Sequence, residues 1–198
     1  MSPKPDVSEE RIEQITEAAT KVFARQGFSK ARMDDIAHEA NLSKGTLYIY
    51  FKSKDAIIKH LLDKLFEREL SDLQSLTNDP RPASQKLTVF GEKIIADIQN
   101  WTRLIPLMYE FLGLLFRQSI VQEAFKNYMR SYLGLITPII QQGIDAGEFN
   151  VKDAEDVAIT IGAIFEGTIL LWVYDSDKID LEKHLRSGIA LLMDGIKA

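Results

Sequence analysis

The chain has 198 residues, of which 45% are hydrophobic and 27% charged, with a formal net charge of −5 and no cysteine. A chain of this length can bury a sizeable core in one large or two small domains. The lack of cysteine excludes disulfides, thiolate nucleophiles and thiolate metal sites, and it fits a reducing compartment. The first residues, MSPKPDVSEE, lack an apolar core, so we expect residues 1–7 to form a flexible arm of a cytoplasmic protein.

Charge is distributed unevenly along the chain. Residues 21–60 hold eight basic and four acidic side chains, hence +4, whereas residues 61–198 hold fourteen basic and twenty acidic ones, hence −6. A basic segment on an otherwise acidic protein predicts a polyanionic partner at one end only. The charge alone also fits a solvated surface. The positions of these side chains must decide between a binding surface and a solvated one.

Apolar residues recur at helical spacing over most of the chain, and we find no alternating strand pattern and no internal repeat. The first predicted helix begins near Ser8, which can cap it, and ends at Gly27. The second runs over about Met33–Ala40. Its first turn holds Asp34 and Asp35, which we attribute to helix-dipole stabilisation because adjacent side chains on a helix diverge.

A tight turn and a third helix follow. Asn41 tolerates a left-handed backbone, and Ser43 offers a capping hydroxyl for a helix over about Lys44–Phe51. Leu47 and Phe51 are spaced i and i+4 and are predicted to face the core. The side chains left on the outer face are those of Lys44, Gly45, Tyr48 and Ile49. Such a helix is suited to the DNA major groove.

Fixed motifs connect these helices to a known family. The stretch AATKVFARQGFSKARMDDIAHEANLSKGTLYIYFKSKDAII contains Phe-x-x-x-Gly-Phe, Asp-Ile-Ala and Ser-Lys-Gly-x-Leu-Tyr-x-Tyr-Phe-x-x-Lys. With these motifs, the segment from about Ser8 to Leu62 resembles the N-terminal domain of the TetR family of one-component bacterial repressors. The resemblance implies an all-α protein, with a three-helix DNA-binding domain containing a helix-turn-helix at 1–53 and a helical effector-binding and dimerisation domain at 54–198. It also implies a homodimer on a palindromic operator in double-stranded DNA.

The resemblance assigns DNA contacts by position. Lys44 and Gly45 match base-edge positions, and Ile49 can contact a thymine methyl group. Positions that resemble the family's phosphate clamp are Ser43, Thr46, Tyr48, Tyr50 and Lys54.

Two of these assignments carry alternatives. Tyr50 could instead pack in the core, because the neighbouring Phe51 is a core residue. Arg32 stands where many relatives have a capping Ser or Thr, and we hypothesise that it reaches phosphate instead.

Beyond Phe51 the pattern stays helical. Ser53 is predicted to cap a long helix that ends near Leu76, and TNDPRPASQ, residues 77–85, reads as a loop between helices. Further helices are predicted at about 83–100, 101–117, 119–146, 153–174 and 180–196. Pro106 and Pro138 fall inside two of them and should kink or restart the helix.

Aromatic side chains are frequent in the C-terminal helices. The resemblance implies a small-molecule pocket there, and the side chains predicted to line it are Trp101, Met108, Phe111, Phe125, Tyr128, Tyr132, Phe165, Glu166 and Trp172. Plain core packing is the alternative for each aromatic residue. Glu166 has apolar or small neighbours and needs a partner or a wet cavity, so ligand anchoring, an interface hydrogen bond and exposure remain open. Glu110 lies on a polar strip with Arg103 and Arg117, and we expect it to be solvated.

The segment VAITIGAIFEGTILLWVY, residues 157–174, is apolar on nearly all sides and long enough to suggest a membrane span. Glu166 at its centre and acidic flanks argue against a span. We therefore expect a helix buried both by its own domain and by a partner subunit. The resemblance implies a dimer interface on the last two helices, which we assign to Ala163, Leu170, Leu185, Ile189 and Leu192.

No catalytic, metal or cofactor site is predicted. His38, His60 and His184 are far apart, and the sequence contains neither His-x-x-x-His nor a glycine-rich phosphate loop. We interpret the protein as a DNA-binding regulator rather than an enzyme, and as a repressor that leaves its operator when a small apolar or aromatic molecule binds. The alternative is a DNA-bound regulator or architectural factor of the same fold without a small-molecule response.

Overall fold

The computed structural model describes residues 7–96 and 113–198, apart from the side chain of Arg68. The helices in these ranges are α1 Val7–Gln26, α2 Met33–Glu39, α3 Lys44–Tyr50, α4 Lys54–Thr77, α5 Ala83–Ala96, α6 Ser119–Asp145, α7 Ala154–Tyr174 and α8 Leu181–Ile196. Residues 113–115 are also helical. Across these two ranges no strand forms, and an isolated bridge joins Phe149 to Lys197. The all-α prediction is confirmed.

The chain divides into two compact units. The first takes its described residues from 1–65 and 103–126, and the second from 66–102 and 127–198. Helices α4 and α6 contribute residues to both units. The domain boundary predicted after residue 53 is assigned by function, whereas the compact units divide after residue 65. The functional boundary stays a prediction.

The first unit contains α1, α2 and α3 with the start of α4. Its core is formed by fully buried apolar side chains from all four helices, among them Ile15, Val22, Ile36, Leu47 and Ile58. Two predicted turns have the expected backbone, because Gly27 and Asn41 have φ values of 75° and 52°. Left-handed backbone at these two positions lets α1 and α2 end sharply.

The second unit is built around α5, α6 and α7, which pack with the end of α4 and with α8. Its main buried cluster includes Leu73, Phe90, Ile136, Ala158 and Ile196. A second, smaller cluster joins Ile95 of α5 to Leu181 and Leu185 of α8.

Side chains and backbone close the second unit at the end of α6. A Cβ atom at Gly143 would overlap the ring of Phe149, so the absence of a side chain there lets the ring pack directly on the helix. The Glu148 carboxylate accepts hydrogen bonds from the backbone N–H of Ala83 at 2.9 Å and of Ser84 at 3.0 Å. It therefore caps α5 from a distant part of the sequence.

The predicted helix boundaries are met within a few residues. Ser53 caps α4, since the N–H of Ala56 donates to its hydroxyl oxygen at 3.2 Å. At Pro138 the helix neither ends nor restarts, and α6 continues through it to Asp145. Pro106 and most of the helix predicted at 101–117 lie outside the described residues.

Candidate nucleic-acid interface and effector site

The start of α2 is capped by an acidic side chain from within the helix. The Asp35 carboxylate accepts a hydrogen bond from the backbone N–H of Arg32 at 2.9 Å and another from the side chain of Gln26 at 2.9 Å. These hydrogen bonds, with that to Arg32 contributing most, hold the pKa of Asp35 below its usual value. Asp35 thus binds the backbone N–H of the residue that precedes α2, and the Arg32 side chain stays exposed.

Helix α3 presents two different faces. Ser43 begins it by accepting a hydrogen bond from the N–H of Thr46 at 3.1 Å. Leu47 and Phe51 are 0% and 6% exposed, which confirms their predicted core positions. On the opposite face Ile49 is 70% exposed, and Lys44 and Gly45 are also exposed. The half-buried side chains are those of Thr46, Tyr48 and Tyr50.

An open crevice beside α3 concentrates positive charge. Four of its lining side chains are basic, and one, Asp34, is acidic. We call it the basic crevice, and its lining residues are Ser29, Lys30, Ala31, Arg32, Met33, Asp34, Lys44, Tyr48 and Lys54. The predicted DNA contacts Arg32, Lys44, Tyr48 and Lys54 thus meet along one surface.

Lys54 is held by the connection between α1 and α2. Its Nζ donates a hydrogen bond to the Phe28 carbonyl oxygen at 2.7 Å and lies 4.3 Å from the centroid of the Phe28 ring. Burial lowers the pKa of Lys54. An ammonium group has three N–H donors, so this hydrogen bond leaves two for a phosphate.

A polar pair lies among aromatic rings in the second unit. The Tyr128 hydroxyl of α6 donates a hydrogen bond to the Glu69 carboxylate of α4 at 2.8 Å. The Tyr128 ring stacks on Phe66 with centroids 4.2 Å apart, and its centroid lies 6.2 Å from that of Tyr132. The Tyr132 hydroxyl donates to the Ala158 carbonyl oxygen at 2.9 Å, which holds this ring against α7.

Burial dominates the electrostatics of this aromatic cluster. It raises the pKa of Glu69, an effect that the hydrogen bond from Tyr128 opposes and the negative charge of Glu166 reinforces. Burial likewise raises the pKa values of Tyr128 and Tyr132. Glu166 keeps solvent access in the single chain, yet the protein atoms around it raise its pKa as well. These carboxylates would gain from a nearby cation.

The predicted pocket residues separate into several places. Tyr128 and Tyr132 lie together, and Glu166 influences both electrostatically. Phe165 lines a small apolar cavity between α5, α7 and α8, and Trp172 packs on the cluster around Leu185. Phe125 is half-buried within the other compact unit. Outside the described residues lie Trp101, Met108 and Phe111, together with Arg103 and Glu110.

Helix α7 has an apolar stripe that its own chain leaves open. The exposed positions that form it, spaced three or four residues apart, are Ile159, Ala163, Glu166, Leu170 and Tyr174. Among the described helices α7 alone has the length and mean hydropathy, 1.8, of a membrane span, and 17% of that apolar window is buried. Glu166 thus lies on a helix face that its own chain leaves open.

Three side chains predicted for the dimer interface are partly or fully covered by their own chain. Leu185 is 1% exposed, and the half-buried Ile189 and Leu192 pack against the two clusters of the second unit. The reason is that this face of α8 covers α5 and α7, and a Cβ atom at Gly91 of α5 would lie 2.9 Å from Ile189. The large apolar side chain that α8 exposes is Leu191, at 73%.

The sequence reasoning missed Glu69 as a site residue. Glu69 falls seven residues after Leu62 and four before Leu73, two buried positions of α4, so it lies on the apolar side of the helix. An acidic residue inside an apolar stripe is the signal that could have found it. In the described part of the chain no group of three His, Cys, Asp or Glu side chains could hold a metal ion.

Comparisons with known proteins agree with this arrangement. Residues 15–61 match the bacterial regulatory proteins of the tetR family, and residues 83–198, more than half of the chain, match the C-terminal region of QacR-like proteins. The fatty acid metabolism regulator protein of Bacillus subtilis (strain 168) is 28% identical over 189 residues, which cover 92% of this chain and 94% of that one.

Solved structures share the fold over nearly the whole chain. A SmeT–triclosan complex is similar with a TM-score of 0.86 at 16% identity, over 96% of this chain and 92% of that one. A Saccharomonospora viridis protein in complex with choline is similar with a TM-score of 0.78 at 18% identity, over 96% and 99%. The helix-turn-helix, the basic crevice and the two family matches together show that this chain belongs to the tetR family and is a DNA-binding transcriptional regulator.

Proposed function

We propose that the protein is a cytoplasmic, homodimeric repressor without enzymatic activity that releases a palindromic operator when a small molecule binds its C-terminal helices. The domain at 1–53 reads DNA in this proposal, and the domain at 54–198 binds the effector and the partner subunit. The observation that carries the effector response is the hydrogen bond between Tyr128 and Glu69. It places a polar, aromatic-lined group on α4, the helix that begins with Lys54.

The DNA side of the proposal rests on α3 and the basic crevice. Lys44, Gly45 and Ile49 stand exposed on one face of α3 and can reach base edges in the major groove. Arg32 and Lys54 line the crevice next to this face and would contact phosphates. Ser43, Thr46, Tyr48 and Tyr50 would complete the phosphate clamp.

The effector side rests on the chemistry around Glu69. A carboxylate that burial makes more basic, next to Phe66, Tyr128 and Tyr132, suits a flat lipophilic ligand that carries a positive charge. The solved relatives with triclosan and choline contain one aromatic ligand and one cation. Glu166 would extend the site, because its charge acts on both Tyr128 and Tyr132.

Release follows if the ligand prefers one position of α4. Glu69 and Lys54 lie on the same helix, which is continuous from Lys54 to Thr77. A ligand that contacts Glu69 can therefore bias the position of a helix that also reaches the DNA-binding segment. The two recognition helices of a dimer must stay roughly 34 Å apart to meet successive major grooves, so a small change in their spacing lowers affinity.

The homodimer is proposed from the open stripe on α7. Ile159 and Leu170 of this stripe are 50% and 38% exposed, and the exposed Leu171 beside them and Leu191 of α8 add to this apolar surface. Apolar side chains exposed in this number on neighbouring helices are typical of a protein interface. A second copy of the chain would cover them. The acidic Glu166 on the same face argues against a lipid partner.

The test combines ligand binding with DNA release. A DNA duplex is first selected from a random library with the wild-type protein. Its release is then titrated with benzyltrimethylammonium and with neopentylbenzene, an uncharged molecule of the same shape. We expect the cation to release DNA at a lower concentration than the uncharged molecule does. Glu69→Gln should reduce this difference in concentration about tenfold or more.

Glu67→Gln is the matched control, because Glu67 is exposed on the same helix. It should leave both titrations unchanged. If neither probe, nor any member of a broad lipophilic ligand set, shifts the melting temperature or releases DNA, the architectural alternative without a small-molecule response replaces the repressor.

A further inference from the structure

One acidic side chain stands within the basic crevice. Lys44 Nζ lies 2.8 Å from Asp34 Oδ1 and 3.1 Å from Asp34 Oδ2. Both side chains are well exposed, at 61% for Lys44 and 59% for Asp34. Among the nine residues that line the crevice, Asp34 is the one that carries a carboxylate. The ion pair thus involves the lysine that the DNA-binding proposal places at the base edges.

We propose that Asp34 is a specificity-determining residue, which neutralises Lys44 so that this lysine favours a matching base edge over random phosphates. The inference rests on the proposed function, in which α3 enters the major groove. The Asp34 carboxylate places a negative charge on a basic surface that would otherwise bind any duplex.

The physical reason lies in the two ways in which a lysine can gain from DNA. An unpaired ammonium gains from any phosphate, because the contact releases condensed counterions whatever the base sequence. Next to Asp34 the pair has no net charge, and a phosphate that approaches Lys44 also approaches a carboxylate. Random duplexes therefore gain little from Lys44.

A matching base edge avoids this conflict. The ammonium has three donors and uses one or two of them on Asp34, so a donor remains for the O6 or N7 acceptor of guanine. These acceptors are neutral groups, which the neighbouring carboxylate repels far less than it repels a phosphate. Lys44 can then contact the base while Asp34 still holds it in place.

A purely structural role for Asp34 predicts something different. Asp34 lies in the first turn of α2, where a negative charge stabilises the helix. That role alone would make its removal lower the melting temperature without changing the ratio of affinities for two duplexes. The hydrogen bond and charge of Asp34 also raise the pKa of Lys44.

The experiment measures dissociation constants for the selected duplex and for a scrambled duplex of the same length, at several salt concentrations. For Asp34→Asn we expect binding to the scrambled duplex to tighten about three- to tenfold at low salt. Its salt slope should steepen by about 0.9 per recognition helix, since one more phosphate contact forms. Binding to the selected duplex should change less than about twofold, so discrimination falls.

Two further variants show whether the effect passes through Lys44. In a Lys44→Gln background, Asp34→Asn should no longer tighten binding to the scrambled duplex. Asp63→Asn is the control for net charge, because Asp63 pairs with the exposed Lys59 at 2.6 Å on α4 and lies outside the basic crevice. It should leave the discrimination ratio unchanged. Asp34→Glu keeps the negative charge and should keep the discrimination between duplexes. It serves as the control if Asp34→Asn destabilises α2.

The outcomes separate this inference from the function on which it rests. If the wild-type protein selects no duplex, both the DNA-reading role of α3 and the role of Asp34 are wrong. If it selects a duplex but Asp34→Asn leaves the ratio of affinities as it was, only the inference fails. An equal gain for Asp34→Asn with and without Lys44 would reduce Asp34 to a general charge effect and would also overturn the proposal.

Discussion

Tyr128 and Glu69 form a hydrogen bond of 2.8 Å between helices whose contacting residues are 59 positions apart. The stacked Phe66 ring covers Tyr128 on one side, and both members of the pair are half-buried. A carboxylate in such surroundings favours its neutral form, and the pKa of Glu69 is raised accordingly. Protonation of Glu69 therefore links the stability of the protein to pH.

The contribution of Glu69 to the stability of the protein should fall as pH rises above the ordinary Glu value of about 4.3. The folded chain holds the Glu69 proton to higher pH than the unfolded chain does, because burial raises the folded pKa. The resulting stabilisation is fully present below the unfolded pKa and is lost as pH rises through the folded pKa. Glu69→Gln should flatten this dependence in thermal melts between pH 4 and 8. Melting curves of Glu69→Gln that run parallel to wild type at every pH would contradict the assignment, and Glu67→Gln should behave as wild type.

Lys54 should affect both DNA affinity and folding. Lys54→Ala removes the hydrogen bond to the Phe28 carbonyl and the contact with its ring, which we expect to lower the free energy of unfolding by about 1–2 kcal/mol. It should also weaken binding to the selected and the scrambled duplex equally and reduce the dependence of binding on salt concentration. Lys44→Ala should mainly reduce sequence preference. Lys59→Ala removes an exposed charge from the same helix and serves as control in binding curves at several salt concentrations. Equal effects of Lys44→Ala and Lys54→Ala on both duplexes would show that the two roles are assigned wrongly.

Self-association should depend on the exposed face of α8 rather than on its buried face. Leu191→Asp places a charge at a position that is 73% exposed, so the subunit should fold normally. Light scattering should then report the mass of a monomer. Leu185→Asp places the charge in a core position that is 1% exposed, which should cost several kcal/mol and unfold the chain. Circular dichroism distinguishes the two results. A stable dimer of Leu191→Asp with wild-type DNA affinity would move the interface away from this face.

The close contact at Gly143 should make that position intolerant of a side chain. A Cβ atom there would overlap the Phe149 ring and lie 2.9 Å from the Ala83 side chain, so we expect Gly143→Ala to cost about 1–3 kcal/mol. Gly134→Ala on the same helix is the matched control, since nothing lies within 4 Å of its added methyl group. It should be neutral or stabilising by up to about 1 kcal/mol, because alanine favours helix more than glycine does. Denaturant melts of the two variants that coincide would show that Phe149 moves aside.

Local signals in the sequence determined the helices and the helix-turn-helix. Capping residues such as Ser43 and Ser53, the turn residues Gly27 and Asn41, and the spacing of Leu47 and Phe51 act over a few residues. Such signals are readable because each depends on its immediate neighbours in the chain. The predicted helices within the described residues accordingly match the structure.

Only the tertiary structure decided which polar side chains meet and which apolar faces remain open. The pairing of Asp34 with Lys44 and of Glu69 with Tyr128 depends on how separate helices pack. The same is true of α8, where the face predicted for a partner also packs on α5 and α7, so that Leu185 is buried and Leu191 is exposed. Helical periodicity shows that a face is apolar, but it does not show whether its own chain or a second subunit covers that face. That choice is made by the packing of helices distant in sequence, which no local pattern records.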